Sequence, residues 1–136
     1  MFEILEHTAD IGFRAWGPTA AKMFENAALA LESIAFEMDG VEPREPYPMA
    51  VTGEDYESLL VNWLSEALYY MDARRILLRR FKVERIEPET VVGRGWGEPF
   101  DARRHQAKEI VKGVTYHQLK IERAGDVWRA TVFLDV

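Results

Sequence analysis

The 136-residue chain contains no cysteine. Disulfides, thiolate-bound metals and a cysteine nucleophile are therefore excluded, and a reducing compartment gains weak support. Histidine is scarce: His7, His105 and His117 are the only ones, and none lies at the HExxH or HxH spacing behind zinc hydrolysis. No apolar run approaches the ~20 residues that cross a bilayer as a helix. The opening Met1-Phe2-Glu3-Ile4-Leu5-Glu6 lacks the basic-then-apolar pattern of a secretory signal. A cytoplasmic protein with no membrane partner is expected. Excess positive charge is also missing, with 17 basic residues against 23 acidic and a net charge of −6. Broad phosphate neutralisation along a nucleic acid does not suit such a chain. Cations, or a basic protein surface, suit it better.

Nor is there a phosphate loop of the Walker A type or a GxSxG elbow. Gly93-Arg94-Gly95-Trp96-Gly97 resembles a dinucleotide fingerprint only superficially, because Pro99 and Phe100-Asp101 follow where a helix would be needed. No nucleophile and base can be paired into a catalytic constellation, and no catalytic residue is assigned. The chain reads as a binding or accessory protein.

What is present is an ordinary globular composition. Hydrophobic residues make up 48% and charged residues 29%, with four Trp, five Tyr and seven Phe as core anchors. With no repeat or linker, a single domain over residues 1–136 is expected. Near-alternating Phe2, Ile4, Leu5 and Ile11, Phe13, Ala15 predict a strand pair broken by His7-Thr8-Ala9-Asp10. After the Thr19 cap, Phe24, Ala27, Ala28, Leu31, Ile34, Ala35 and Met38 form one helical stripe, stopped at Gly40. Pro43, Pro46 and Pro48 predict an extended connector, with a short strand only from Met49 to Thr52. Asp55 caps a second helix whose apolar face runs from Leu59 through Trp63 to Met71.

Strands are then expected over Phe81–Glu87, Thr90–Trp96, Val111–Glu122 and Val127–Asp135. The last two are joined by an Ala124-Gly125-Asp126 hairpin tip, and the glycines at 93, 95 and 97 suggest a bend or bulge. The fold class is α+β, a two-layer domain of two amphipathic helices on an antiparallel or mixed sheet.

Several residues invite a functional role. Asp10 sits in the break between the first two strands, either as a turn-stabilising carboxylate or as a ligand at the sheet rim. Asp135 and the carboxylate of Val136 stand next to each other at the end of an apolar strand. Anionic groups held close together call for a compensating cation or donors. If Asp10 is near, the oxygen-only set suits Ca²⁺, Mg²⁺ or Mn²⁺ rather than zinc. In Lys112-Gly113-Val114-Thr115-Tyr116-His117, strict alternation puts His117 on a face with Leu119 and Ile121, as a core histidine or a functional one. Lys112 is either solvated or paired with an acidic cluster or a phosphate. Arg74, Arg75, Arg79, Arg80 and Lys82 form a basic cluster. The simpler reading is cations near a helix C-terminus, and an RNA contact is the alternative.

Glu6-His7-Thr8-Ala9-Asp10-Ile11-Gly12 resembles the opening signature of archeases, usually DHTADIG. Phe24-Glu25-Asn26-Ala27-Ala28 is similar to that family's first helix, and Leu59-Leu60-Val61-Asn62-Trp63-Leu64-Ser65-Glu66 to its second. Lys112-Gly113-Val114-Thr115-Tyr116-His117 is similar to its KAVTYH, and Phe133-Leu134-Asp135-Val136 to its terminus. Glu6 stands for the usual Asp and Gly113 for the usual Ala. The resemblance implies an activator of the tRNA-splicing ligase that promotes the ligase's guanylylation and turnover and broadens its nucleotide use. Contact with RNA is expected to be only indirect or weak. The resemblance also implies a divalent-metal site at Asp10, Asp135 and Val136, with Lys112, Asp39, His7 and His117 as further functional candidates. A general chaperone or modulator of nucleic-acid-modifying proteins is the alternative.

Overall fold

The fold is taken from a computed structural model that describes residues 1–6 and 10–136. Strands β1 (Phe2–Glu6) and β2 (Ile11–Gly17) lead into helix α1 (Ala20–Ala35). A 3-10 turn (Met38–Gly40) and strand β3 (Glu45–Thr52) precede helix α2 (Tyr56–Asp72). Strands β4 (Ile76–Glu87), β5 (Thr90–Pro99), β6 (Gly113–Ala124) and β7 (Val127–Asp135) follow. The strands form two antiparallel sheets in the orders β1-β2-β7-β6 and β3-β5-β4.

Both helices touch both sheets: α1 packs on β2 and β4, and α2 on β6, β3 and β4. A helix covered on two sides needs small residues where backbones approach. Ala20, Ala27, Ala28, Ala30 and Ala35 of α1 are all buried, with Phe24 and Leu31 as its larger anchors. Trp63 of α2 is fully buried, and its indole N–H donates to the Phe24 carbonyl at 3.0 Å, so the core's largest ring leaves no orphan donor. The caps are as expected. Thr19 accepts from the Lys22 amide, and Asp55 and Ser58 form a reciprocal capping box.

Three expectations are corrected. First, α1 ends at Ala35 rather than running to Gly40, because Phe36 turns extended and bridges to Ala107; Met38 is buried from the 3-10 turn instead. Second, β3 begins at Glu45 and includes Pro46 and Pro48. It is an edge strand, where proline is tolerated because one side of the backbone has no partner to bond. Third, β4 begins at Ile76, directly after the α2 turn.

The Gly93, Gly95 and Gly97 series does mark irregularity, but the bulges lie in the neighbouring strand. Strand β4 slips register between Leu78 and Arg80 and again between Val83 and Arg85, opposite Gly97 and Gly93. A Cβ on Gly97 would run into the Leu77 carbonyl, and one on Gly93 into the Lys82 carbonyl. Bulges leave backbone groups outside the ladder. Two α1 carboxylates meet them here: Glu25 accepts from the Val83 amide at 2.9 Å and Glu32 from the Leu78 amide at 3.1 Å. Both glutamates are buried, and the sequence pattern had not marked either as a core residue.

Candidate functional site

The sheet β1-β2-β7-β6 sets the geometry of the candidate site. Antiparallel pairing of β2 with β7 matches Ile11 with Leu134, so Asp10 and Asp135 are the next residues beyond that pair at the same end of the two strands. On the other side of β7, Gly113 of β6 pairs with Asp135, and the Lys112 amide donates to the Asp135 carbonyl at 2.7 Å. Three segments far apart in sequence are thereby joined by backbone register at one sheet edge. Gly12 belongs to this construction. It pairs with Phe133, and a Cβ there would come within 2.8 Å of the Phe133 ring, so a larger residue would push the two strands apart.

The side chains of Asp10, Asp135 and Lys112 are exposed, and Val136 is half-buried. No hydrogen bond or ion pair among the described residues engages the Asp10 or Asp135 carboxylate. An oxygen-only pair with no donor among the described residues, beside Val136, fits a hard divalent cation by donor chemistry. The side chains alone do not make a cage: among the described residues, no three His, Cys, Asp or Glu groups converge on one point. An open groove of about 300 Å³ adjoins this edge, lined by Ile4, Ile11, Ser33, Ile34, Lys108 and Glu109. Ile110, 80% exposed, lies two residues from Lys112.

The remaining candidates are Asp39, His7 and His117. Asp39 is exposed in the 3-10 turn, and no hydrogen bond or ion pair among the described residues joins it to Asp10 or Asp135. His7 lies outside the described residues. His117 is not a core histidine. Strand β6 bulges between Thr115 and Lys120, Gln118 takes a left-handed φ of 56°, and the face alternation is broken. His117 is consequently exposed, its amide tied to the Thr115 hydroxyl at 2.8 Å, while Leu119 and Ile121 stay half-buried.

The buried histidine is His105. The Asp101 amide donates to its Nδ1 at 2.9 Å, so Nε2 carries the proton and donates to Glu98 Oε2 at 2.9 Å. Glu98 is 3% exposed and also accepts from the Glu42 amide at 2.8 Å and from Arg104 at 2.6 Å, with Arg44 at 3.1 Å. Burial pushes the Glu98 carboxyl up, but the bonds from Arg104, the Glu42 amide and His105 outweigh it and hold the group down at about 2. The cluster pins the 100–106 segment over the end of the second sheet. Glu98 is the shared acceptor that holds these donors together. Glu98, Asp101 and His105 show no periodicity in the sequence that marks them as one buried cluster.

No described helix is long and apolar enough to cross a membrane. The family model described as "Archease protein family (MTH1598/TM1083)" matches residues 2–136. The protein archease of Sulfurisphaera tokodaii is 40% identical over 136 residues, covering 99% of this chain and 98% of that one. That of Pyrococcus furiosus is 40% identical over 139 residues, with the same two coverages of 99% and 98%. The solution structure of Methanobacterium thermoautotrophicum protein 1598 superposes with a TM-score of 0.83 at 34% identity, covering 99% of this chain and 98% of that one. The crystal structure of a Thermotoga maritima archease, called a possible chaperone, gives a TM-score of 0.64 at 23% identity over 97% and 94% of the two chains, and supports the fold alone. With a matching family model over nearly its whole length and relatives at this identity, the chain belongs to the archease family.

Proposed function

We propose that this protein is an accessory activator of an RNA-splicing ligase, acting through the edge where β2 begins and β7 ends. The reading rests on family membership and on one observation: Asp10, Asp135 and Lys112 leave the same end of one sheet, held by the Ile11–Leu134 and Gly113–Asp135 pairs. Asp10, Asp135 and Val136 would hold a divalent cation, which when bound supplies charge neutralisation and a polarising centre for phosphate oxygens. Ca²⁺ suits the oxygen donors best, with Mg²⁺ or Mn²⁺ as cellular alternatives. Lys112 adds a cation to the same edge, able to meet a nucleotide phosphate. The neighbouring groove and exposed Ile110 give a partner apolar surface to grip beside the charged groups. In this reading the protein forms no covalent intermediate. It docks at the ligase, promotes guanylylation and turnover, and broadens the nucleotides accepted.

The test is the rate of covalent GMP attachment to purified ligase, with and without this protein. Acceleration by the wild type, lost in both Asp10→Asn and Asp135→Asn, is expected. Full acceleration by both variants would overturn the role of this edge. A general chaperone or modulator of nucleic-acid-modifying proteins is the second reading, favoured by the exposed Ile110, Tyr116 and Tyr69. It predicts suppressed aggregation of unrelated clients with no effect on guanylylation.

A further inference from the structure

The outer face of the sheet β3-β5-β4 combines cations with a stacked aromatic in a chain that is acidic overall. Along β5, Val91 and Gly95 face the core, where the Cβ position of Gly95 abuts Leu78 and Phe81. The alternating residues Val92, Arg94 and Trp96 therefore face away from the helices, exposed or half-buried. Register places Arg80 and Pro46 on either side of Trp96, and Lys82 and Pro48 on either side of Arg94. The Arg80 guanidinium lies 4.3 Å from the Trp96 ring centroid and that of Arg94 5.8 Å. Arg94 is neutralised by a two-bond pair with Glu84 at 3.2 and 3.0 Å. Arg79, Arg80 and Lys82 are exposed, and among the described residues no carboxylate lies within ion-pair distance of them. The sequence suggested that these cations sit near a helix C-terminus, and that is true only of Arg74 and Arg75. Arg79, Arg80 and Lys82 belong to β4.

We propose that this face binds single-stranded RNA, with Arg80 and Lys82 on phosphates and the Trp96–Arg80 stack as a platform for a base. The unpaired cations set the sign of the ligand. The indole with a guanidinium over it sets its kind, because bases stack on aromatic rings and guanidinium groups whereas carboxylates gain nothing from a ring. Three free cations make the site weak and strongly salt-sensitive, a supplementary contact rather than a primary one. The face lies on the sheet that does not carry Asp10 and Asp135, so it stands apart from the activator reading.

The test is fluorescence anisotropy of a labelled oligouridine with the isolated protein, no ligase present, so that failure here leaves the ligase assay untouched. Binding should weaken with salt at a log–log slope of about −2, from ~0.7 per neutralised phosphate and three cations. The Arg80→Gln/Lys82→Gln variant should lose about tenfold in affinity and about two thirds of that slope. Trp96→Ala should lose about fivefold or more, and Trp96→Phe should retain most of the affinity. Thermal unfolding of each variant checks that the fold is intact. Absence of wild-type binding at low salt overturns the proposal, as does equal binding by the charge variant or by Trp96→Ala. Displacement of the RNA by polyglutamate at matched charge also overturns it, because a plain polyanion site needs no stacked ring.

Discussion

Removing the Glu98 carboxylate should cost about 3 kcal/mol of stability, and the structure says where that cost arises. Arg44 and Arg104 are 64% and 40% exposed, so on losing Glu98 they turn to water, and each pair contributes only ~0.2–1 kcal/mol. The His105 side chain is fully buried and its Nε2–H has no water to turn to. A buried donor left without an acceptor costs about 1–3 kcal/mol. The Glu42 amide, part-buried, adds a smaller share of the same kind. Glu98→Ala combines these losses, while Glu98→Gln keeps one acceptor oxygen and should lose about half as much.

The acid dependence carries a definite sign. The folded carboxyl sits at about 2 against an ordinary value of 4.5, so its contribution is complete above pH 4.5 and is lost as pH falls towards 2. Urea unfolding followed by tryptophan fluorescence from neutral pH down to acid gives both numbers. The gap between wild type and Glu98→Gln should narrow below pH 4.5. A loss below about 0.5 kcal/mol for Glu98→Ala, typical of an ordinary surface site, would refute the reasoning, as would a gap that ignores acid.

Glu32 should behave in the opposite sense. It is fully buried, one of its oxygens has no partner among the described residues, and burial pushes its carboxyl well above 4.5. The folded state therefore holds a proton that the unfolded chain releases, and stability falls as pH rises from 4.5 through the folded value, by at most about 1.4 kcal/mol per pH unit. Glu32→Gln keeps an acceptor for the Leu78 amide and removes the titration, so its melting temperature should gain on the wild type as pH rises; parallel curves would contradict this. Gly97→Ala should destabilise by about 2 kcal/mol or more, since its Cβ meets the Leu77 carbonyl and the bulge cannot relax. Gly113→Ala meets nothing within 4 Å and should be neutral or stabilising by up to about 1 kcal/mol, as denaturation midpoints of the two would show.

The helices, their caps and the terminal hairpin were legible because each is written in local chemistry: Thr19 and Asp55 before periodic apolar stripes, Gly125 with φ 60° at the tip. The features missed depend on partners distant in the chain. Pro46 and Pro48 argue against a strand until β3 is known to be an edge. Glu25 and Glu32 look like solvent-facing helix residues until the β4 bulges supply the amides they bond. His117 follows an alternation that the Gln118 bulge cancels, while the true core histidine, His105, sits in a segment with no periodicity at all. Asp10 and Asp135 could be suspected singly, but their common edge follows only from the β2–β7 register.

The central claim is that this edge gathers a hard cation between chain segments more than a hundred residues apart. Calorimetric titration of the protein with Ca²⁺ and Mn²⁺ tests it most directly, using the wild type, Asp10→Asn, Asp135→Asn and the double variant. The account predicts one site in the wild type, weakened at least tenfold by either substitution and absent in the double variant. An unchanged isotherm in the double variant, or a wild type that takes up neither ion, would contradict it.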